Sequence, residues 1–528
     1  MRREALWVAY LLVGAIIGVV CGAASAQQSA PVKLNPSTMP KRGSVDPHYL
    51  SYNVEMVEVT GGRFWKPYGS TASEPPAPAQ AGRQPAGLDP NLFEYRPPID
   101  LSNPRLRKLA QALAPAYVRV SGTWANSTYF QNDDAPPLAQ PPSGFRGVLT
   151  RSEWRGVIDF SHAVSAPIVT SVAVSQGTRD AAGAWTPTQA KALFDYTKSI
   201  GGSIAAAEYF NEPNFAVIGG APAGYNAADF GRDAKLFGAF LRKESPTTIY
   251  QGPSGTGEGI SLAPTGMRLQ LIPTEEMMQA AGPIFDVFSY HFYGTRSHRC
   301  GGTMTADQAL SAEWLDRTDT VESFYAKLRD QYLPDKPMWL TETGEAACGG
   351  DPFAAQFADT FRFLNQLGTL AQRGVQVIMR NTLASSDYGL LDQHTFEPRP
   401  DYWAGLLWKR TMGTVVLDPE ASGDPNLRIY AHCMKDSQGG VAVLALNTDR
   451  ASTKTIQIPA AANRFTVTAA SLTSTKVMLN GRSLQISSDG SLPERQLGGR
   501  VISAGNVDLP PASITFLTIP SAGNESCH

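Results

Sequence analysis

From residue 48 onward, two apolar patterns take turns along the chain. Short runs rich in β-branched and aromatic residues, at 48–60, 116–120, 167–174, 204–210, 247–252, 285–292, 337–342 and 375–381, read as strands. Between them, 104–113, 152–165, 186–199, 227–241, 274–281, 311–332 and 353–372 repeat apolar positions every three or four residues and read as helices, Thr186 or Thr188 being the expected cap of the third. Eight strands with helices between them predict an α/β fold, a (β/α)8 TIM barrel over 48–408. Past 408 the helical period stops. Alternating runs at 427–431, 441–447, 455–458, 465–469, 477–479 and 513–519, parted by turns, predict a C-terminal antiparallel β-sandwich domain over 409–528. Residues 27–47, with Val32-Lys33-Leu34, are expected to add a strand to that sandwich. Two stretches follow neither pattern: the Pro/Gly/Ala-rich 61–98 and the segment QNDDAPPLAQPPSG at 131–144, both expected as surface loops.

The amino terminus adds a compartment. Arg2 and Arg3 precede an apolar run over 6–20 and a small-residue ending, Ala24-Ser25-Ala26, the form of a signal peptide (1–26) cleaved before Gln27. The run is short for a membrane span, so secreted or periplasmic localisation is expected over an uncleaved anchor. Export changes the cysteine arithmetic. Cys300, Cys348, Cys433 and Cys527 remain, an even number for an oxidising compartment, with three pairings possible. A net charge of −2 offers no basic face for nucleic acid. No metal, cofactor or partner subunit is implied, and a monomer is expected. Asn126-Ser127-Thr128 and Asn524-Glu525-Ser526 are sequons whose use depends on the host.

Chemistry first shows at AEYFNEPNF, residues 207–215. An apolar strand stops at Asn211-Glu212-Pro213-Asn214, and Pro213 cannot continue a central strand. Glu212 is thereby presented at a strand's carboxyl end, where barrels keep their chemistry. Strand seven ends in TETGE, which places Glu342 in the same way three βα units later, across the barrel mouth. Two facing carboxylates suit glycosidic cleavage, one donating a proton and the other attacking the anomeric carbon. Two unrelated loop glutamates are the plain alternative. Glu345, three residues beyond Glu342, is expected to face solvent.

Asn-Glu-Pro ending strand four, with Glu ending strand seven, resembles the clan of retaining (β/α)8 glycosidases. The block from MWLTETGEAACGGDPFAAQF through PDYWAGLLWKR, with HYLSYNVE, RKLAQALAPAYVRVSGT, EYFNEPN and FDVFSYHFYG, resembles the heparanase-like β-glucuronidases of glycoside hydrolase family 79. The resemblance runs from about residue 48 to Cys527. It implies Glu212 as acid/base, Glu342 as nucleophile, and Asn211 on the sugar 2-hydroxyl, a contact that tightens in the transition state. It places His291 and Tyr293 beside the nucleophile, barrel packing being their alternative. It gives the uronate carboxylate to backbone N–H groups of Gly349 and Gly350 and to the Tyr388 hydroxyl, with Glu55 and Thr123 touching the same sugar. It also implies a Cys433–Cys527 disulfide.

Two departures stand out. Cys348 replaces a further glycine of the family's loop, and Cys300 sits in the adjacent loop; a bridge between them is expected to stiffen that rim. Family members that grip a sulfated polyanion carry Lys/Arg clusters on the loops after strands two and five. Here PPLAQPPSGFRG and GPSGTGEGISLAPTGMRL hold only Arg146 and Arg268. A glucuronide or a terminal glucuronic-acid-containing glycan is therefore the expected substrate, and exo action is favoured over endo. The alternatives are a clan relative with another glycone, such as a β-xylosidase, and a non-catalytic glycan-binding relative, which the presence of both glutamates opposes.

Overall fold

The computed structural model describes residues 30–69, 85, 88–260 and 271–528; the expected signal peptide and Arg268 lie outside them. Eight parallel strands close into a barrel in sequence order: β1 (Leu50–Glu55), β2 (Val118–Ser121), β3 (Ile168–Ser171), β4 (Ile204–Glu208), β5 (Ile249–Gly255), β6 (Val287–Arg296), β7 (Met338–Ala347) and β8 (Val377–Arg380), β8 pairing β1. Nearly every strand residue is buried, because helices cover the outer face and side chains fill the inner one. Among the described residues, eight helices lie between and after the strands, from Pro104–Gln111 to Pro400–Thr411. Some have strong local stops. Thr150 and Glu153 form a capping box before Arg151–Val164, and Ser165 in the left-handed conformation ends it. The expected threonine cap at 186–188 does not form: Pro187 takes the cap position of Thr188–Ser199, and the Thr186 hydroxyl donates to the Thr178 carbonyl instead.

Alternate residues of each strand point into the barrel. At the amino-terminal end these are apolar, with Tyr117, Val169, Ala206, Val287, Trp339 and Val377 in one cluster. One step further along, the same strands carry Arg119, Ser171, Glu208 and Ser289, all buried. Polarity thus rises along the barrel axis toward the carboxyl ends.

Several sequence expectations shift. The 48–60 run is not one strand: β1 ends at Glu55 and Met56–Thr60 turns helical. The 61–98 stretch contains a two-stranded ribbon, Gly62–Trp65 paired antiparallel with Phe93–Arg96. β4 stops at Glu208, four residues short of Glu212. β7 runs on past Glu342 to Ala347, still paired with β6. Glu345 is fully buried rather than solvent-facing, because the chain folds back over it and the Asp351 N–H donates to its carboxylate at 2.9 Å.

The sandwich has one large sheet running Lys41–Ser44, Met412–Leu417, Leu427–Met434, Val441–Asn447, Ser513–Ile519, Ala462–Thr468, Met478–Leu479 and Arg482–Ser483. A smaller sheet sets Val32–Lys33 parallel to Lys454–Ile458, which pairs Gly505–Leu509. Their facing side chains form a separate core. Cys433 is bridged to Cys527, which lies beyond the last strand and not on it. Both sequon asparagines are buried and hydrogen-bonded, Asn126 to Asn211 and Asn524 to Pro36 and Met39. Among the described residues no helix is long and apolar enough to cross a membrane.

Candidate active site

Glu212 is delivered by a strained turn. Beyond β4, Asn211 is held by a two-way amide clamp: Asn126 Nδ2 donates to the Asn211 carbonyl at 3.0 Å, and the Asn211 N–H donates to Asn126 Oδ1 at 3.1 Å. Glu212 then adopts φ 54°, ψ 58° before the short turn Pro213–Phe215. A left-handed glutamate costs about 1–3 kcal/mol, a strain that gathers at functional sites.

Glu342 is aimed by a β-bulge. Tyr290 faces Leu340 across the β6–β7 ladder, yet His291 faces Glu342, so Thr341 is the extra residue. Strict alternation from Trp339, which points inward, would send Glu342 outward; the bulge turns it into the barrel.

The two carboxyls have opposite surroundings. Tyr293 donates to Glu342 Oε1 at 2.8 Å and Arg119 Nη1 donates to Oε2 at 2.9 Å. Glu212 receives a weaker contact, 3.2 Å from His291 Nδ1. Burial pushes its carboxyl up to about 7, with Arg119 opposing and Glu208 adding to the rise. Burial also lowers the His291 pKa to about 4, so the ring is neutral at physiological pH. Arg119 Nη2, which can only donate, lies 3.4 Å from His291 Nε2; the proton is therefore on Nδ1, facing Glu212.

Arg119 and Glu208 form the base of the site, and neither stood out in the sequence. Arg119 Nη2 donates to Glu208 at 2.6 Å and to Asn211 Oδ1 at 2.6 Å. Glu208 also accepts from Ser121 at 2.6 Å and Ser254 at 2.5 Å. Burial works to raise the Glu208 pKa, but Arg119, His291 and these hydroxyls hold it below its usual value. The only available signal was a single charge inside each of two apolar strands.

Above this base opens a cavity of about 400 Å³ whose lining includes Glu55, Thr123, Asn211, Glu212, Tyr293, Glu342, Asn381 and Tyr388. Glu55 Oε2, Asn211 Nδ2 and Asn381 Oδ1 are buried without a protein hydrogen-bond partner. Such groups are costly unless a ligand meets them. Burial, then the charge of Glu342, pushes the Glu55 carboxyl well above its usual value. Gly122 permits its approach: a Cβ there would lie 1.5 Å from Glu55 Oε2. Asn381, also unmarked by sequence, donates to the hydroxyls of Tyr293 at 2.9 Å and Tyr388 at 3.4 Å.

Of the two glycine N–H groups expected to hold the uronate, one is engaged within the loop. The Gly350 N–H is taken up by the Ala346 carbonyl at 3.1 Å, because the turn after β7 closes on itself. Gly349 packs under Trp65, where a Cβ would lie 2.6 Å from the Trp65 Cβ. Ala347 and Cys348 line the cavity in their stead, with Arg296 and Cys300, and Cys300 is bridged to Cys348. Glu212, His291 and Glu342 each bring one ligand atom within 4.8 Å of the others, a spacing a cation could use. The Arg119 guanidinium already supplies positive charge to Glu342, which disfavours a second cation there.

The model of the glycosyl hydrolase family 79 N-terminal domain matches residues 98–368. The chain is 26% identical over 482 residues to heparanase-like protein 1 of Arabidopsis thaliana, covering 81% of this chain and 86% of that one. It is 25% identical over 475 residues to a hyaluronoglucuronidase of Hirudo nipponia, covering 81% and 92%. The fold is similar to a 4-O-α-L-rhamnosyl-β-D-glucuronidase from Fusarium oxysporum, with TM-score 0.60 and 13% identity over 92% of this chain and all of that one. With more than half its length matched to that domain, the chain belongs to glycosyl hydrolase family 79 and is a glycoside hydrolase.

Proposed function

We propose that the chain is a retaining exo-β-glucuronidase, with Glu212 as acid/base and Glu342 as nucleophile. The observation that carries this is the pair itself. Their nearest oxygens lie within 4.8 Å, while one carboxyl is held protonated by burial and the other is gripped by an arginine and a phenol. Retaining enzymes place the two groups about 5–5.5 Å apart; inverting ones need room for a water between them. In the first step Glu342 attacks the anomeric carbon and Glu212 gives its proton to the leaving oxygen. In the second, ionised Glu212 takes a proton from water, which displaces Glu342 from the sugar. Asn211 Nδ2 would meet the 2-hydroxyl, and Glu55 and Thr123 the rest of the ring. Tyr388 would donate to the uronate carboxylate.

Exo action is supported by a strap over one side of the mouth. Arg299 lies 4.1 Å over the Tyr68 ring, donates to Asp387 at 2.6 Å and also bonds the Lys66 carbonyl. This ties the ribbon that carries Trp65 to the loops after β6 and β8.

Turnover of an aryl β-glucuronide but not of the β-xyloside, with β-glucuronic acid as the first product by NMR, is expected. Glu342→Ala should lose about 10⁴-fold, and azide should restore turnover with an α-glucuronosyl azide product. An initial α-anomer from the wild type would overturn retention, and xyloside turnover would overturn the glycone.

A further inference from the structure

The cavity changes character above its polar floor. The turn that presents Glu212 continues into Phe215 and Ile218, both on the cavity wall, and Val217 between them is 62% exposed. Trp65 from the ribbon, Leu92 from the short turn before its second strand, and Trp124 from the loop after β2 add to that wall. It is rigid, since Trp65 stacks on Phe93 at 4.5 Å and Trp124 packs on Phe64 at 5.1 Å. Tryptophans alone would also suit a sugar face. Ile218, Leu92 and the Cys300–Cys348 bridge would not, because they offer no partner to a sugar hydroxyl. Charge gives the same answer. Among the described residues lining the cavity Arg296 is the one cation, and its Nη1 is held by the Cys300 carbonyl at 2.7 Å. Arg146 lines a separate small recess behind Trp124 and Ile218. A sulfated chain needs a row of cations, and the described residues lining the cavity form none.

We infer that the leaving-group side of this site takes an apolar aglycone, an alkyl chain or fused-ring alcohol, and not a further charged sugar. This rests on Glu212 being the acid, since the aglycone lies beside the proton donor. Apolar contact of this kind binds by area removed from water, so affinity should climb with aglycone length.

The test is a series of methyl, butyl and octyl β-glucuronides, whose alcohols have similar basicity and so report contact rather than leaving-group ability. kcat/KM should rise at least tenfold from methyl to octyl. An unsulfated disaccharide ending in glucuronic acid should fall below octyl. Ile218→Asp should collapse the octyl-to-methyl ratio toward one. Methyl glucuronide turned over with a flat series, or the disaccharide preferred, would overturn this inference and leave the β-glucuronidase reading intact. If no glucuronide is cleaved while another glycoside is, both fall.

Discussion

At the scale of residues, the site works by making two carboxyls unequal. Glu212 is raised to about 7 by burial, so it is protonated below that pH and loses its proton above it. In the proposed reaction the first step needs that proton. kcat/KM for an alkyl glucuronide should therefore fall as pH rises through about 7, and Glu212→Gln should abolish this limb while slowing alkyl substrates about 10²–10⁴-fold. A pH profile measured with both proteins checks it; an unchanged alkaline limb in the variant would assign that limb elsewhere. His291, neutral above about 4, contributes nothing to it. Arg119 is the other lever, because it neutralises Glu208 and Glu342 together inside the barrel. Arg119→Met would leave two buried carboxylates without their cation, and breaking such a pair costs about 3–5 kcal/mol. Adding Glu208→Gln should return part of that stability in urea melts. It should not return turnover, because Glu342 would still lack its guanidinium. Full activity in Arg119→Met would remove the arginine from the mechanism.

At the scale of elements, the disulfide at the rim gives a separable test. Cys300 and Cys348 follow β6 and β7 and close a separation of 48 residues. In the chain-entropy model such a bridge contributes about 4 kcal/mol. The paired variant Cys300→Ser/Cys348→Gly should lower the melting temperature. It should raise KM for glucuronides more than it lowers kcat, since the bridge lines the cavity and touches neither catalytic carboxyl. An equal fall in kcat would mean that the bridge positions Glu342. The elements also explain what could be read from sequence. Barrel strands were legible because burial on both faces leaves continuous apolar runs, and Glu212 because Pro213 ends such a run. The bulge at Thr341 was not, because one extra residue reverses which side chains face inward. Glu345 was misplaced for another reason: β7 continues past Glu342 to Ala347 and the chain folds back over it. The ribbon was hidden because its strands, GRFW and FEYR, are four residues each and are separated by Pro/Gly-rich sequence. Arg119 and Glu208 were hidden because a lone charge in an apolar strand gives no hint of the charge it meets from another strand.

At the scale of the molecule, the described chain starts in one domain at residue 30, builds the other, and returns. Lys41–Ser44 pairs Met412–Leu417 across the full length of the barrel sequence, and Val32–Lys33 pairs Lys454–Ile458. The barrel is seated on this sandwich through Phe357–Gln372, where the Tyr430 ring packs so closely on Gly368 that a Cβ would lie 2.3 Å from it. The two chain ends are joined as well. Asn524 donates to the carbonyls of Pro36 at 2.7 Å and Met39 at 2.9 Å, and Cys527 fastens the same tail to Cys433. Asn524 is also the acceptor residue of a sequon, yet it is 1% exposed. A glycan on its Nδ2 would remove one of the two N–H groups that make these bonds and would need room that a 1% exposed side chain does not have, so the folded protein should carry none there, even from a glycosylating host. Asn524→Ala should cost about 2–4 kcal/mol by leaving two buried carbonyls without their donor. The loss belongs to the sandwich, so melting should shift by several degrees while kcat/KM at room temperature stays at the wild-type value. Intact mass from a glycosylating host, together with a thermal melt of the variant, checks both halves. A glycan found on Asn524 in active protein would show that the tail is not held against Pro36 and Met39, and Cys433–Cys527 would then fasten the tail to the sandwich without the amino-terminal segment.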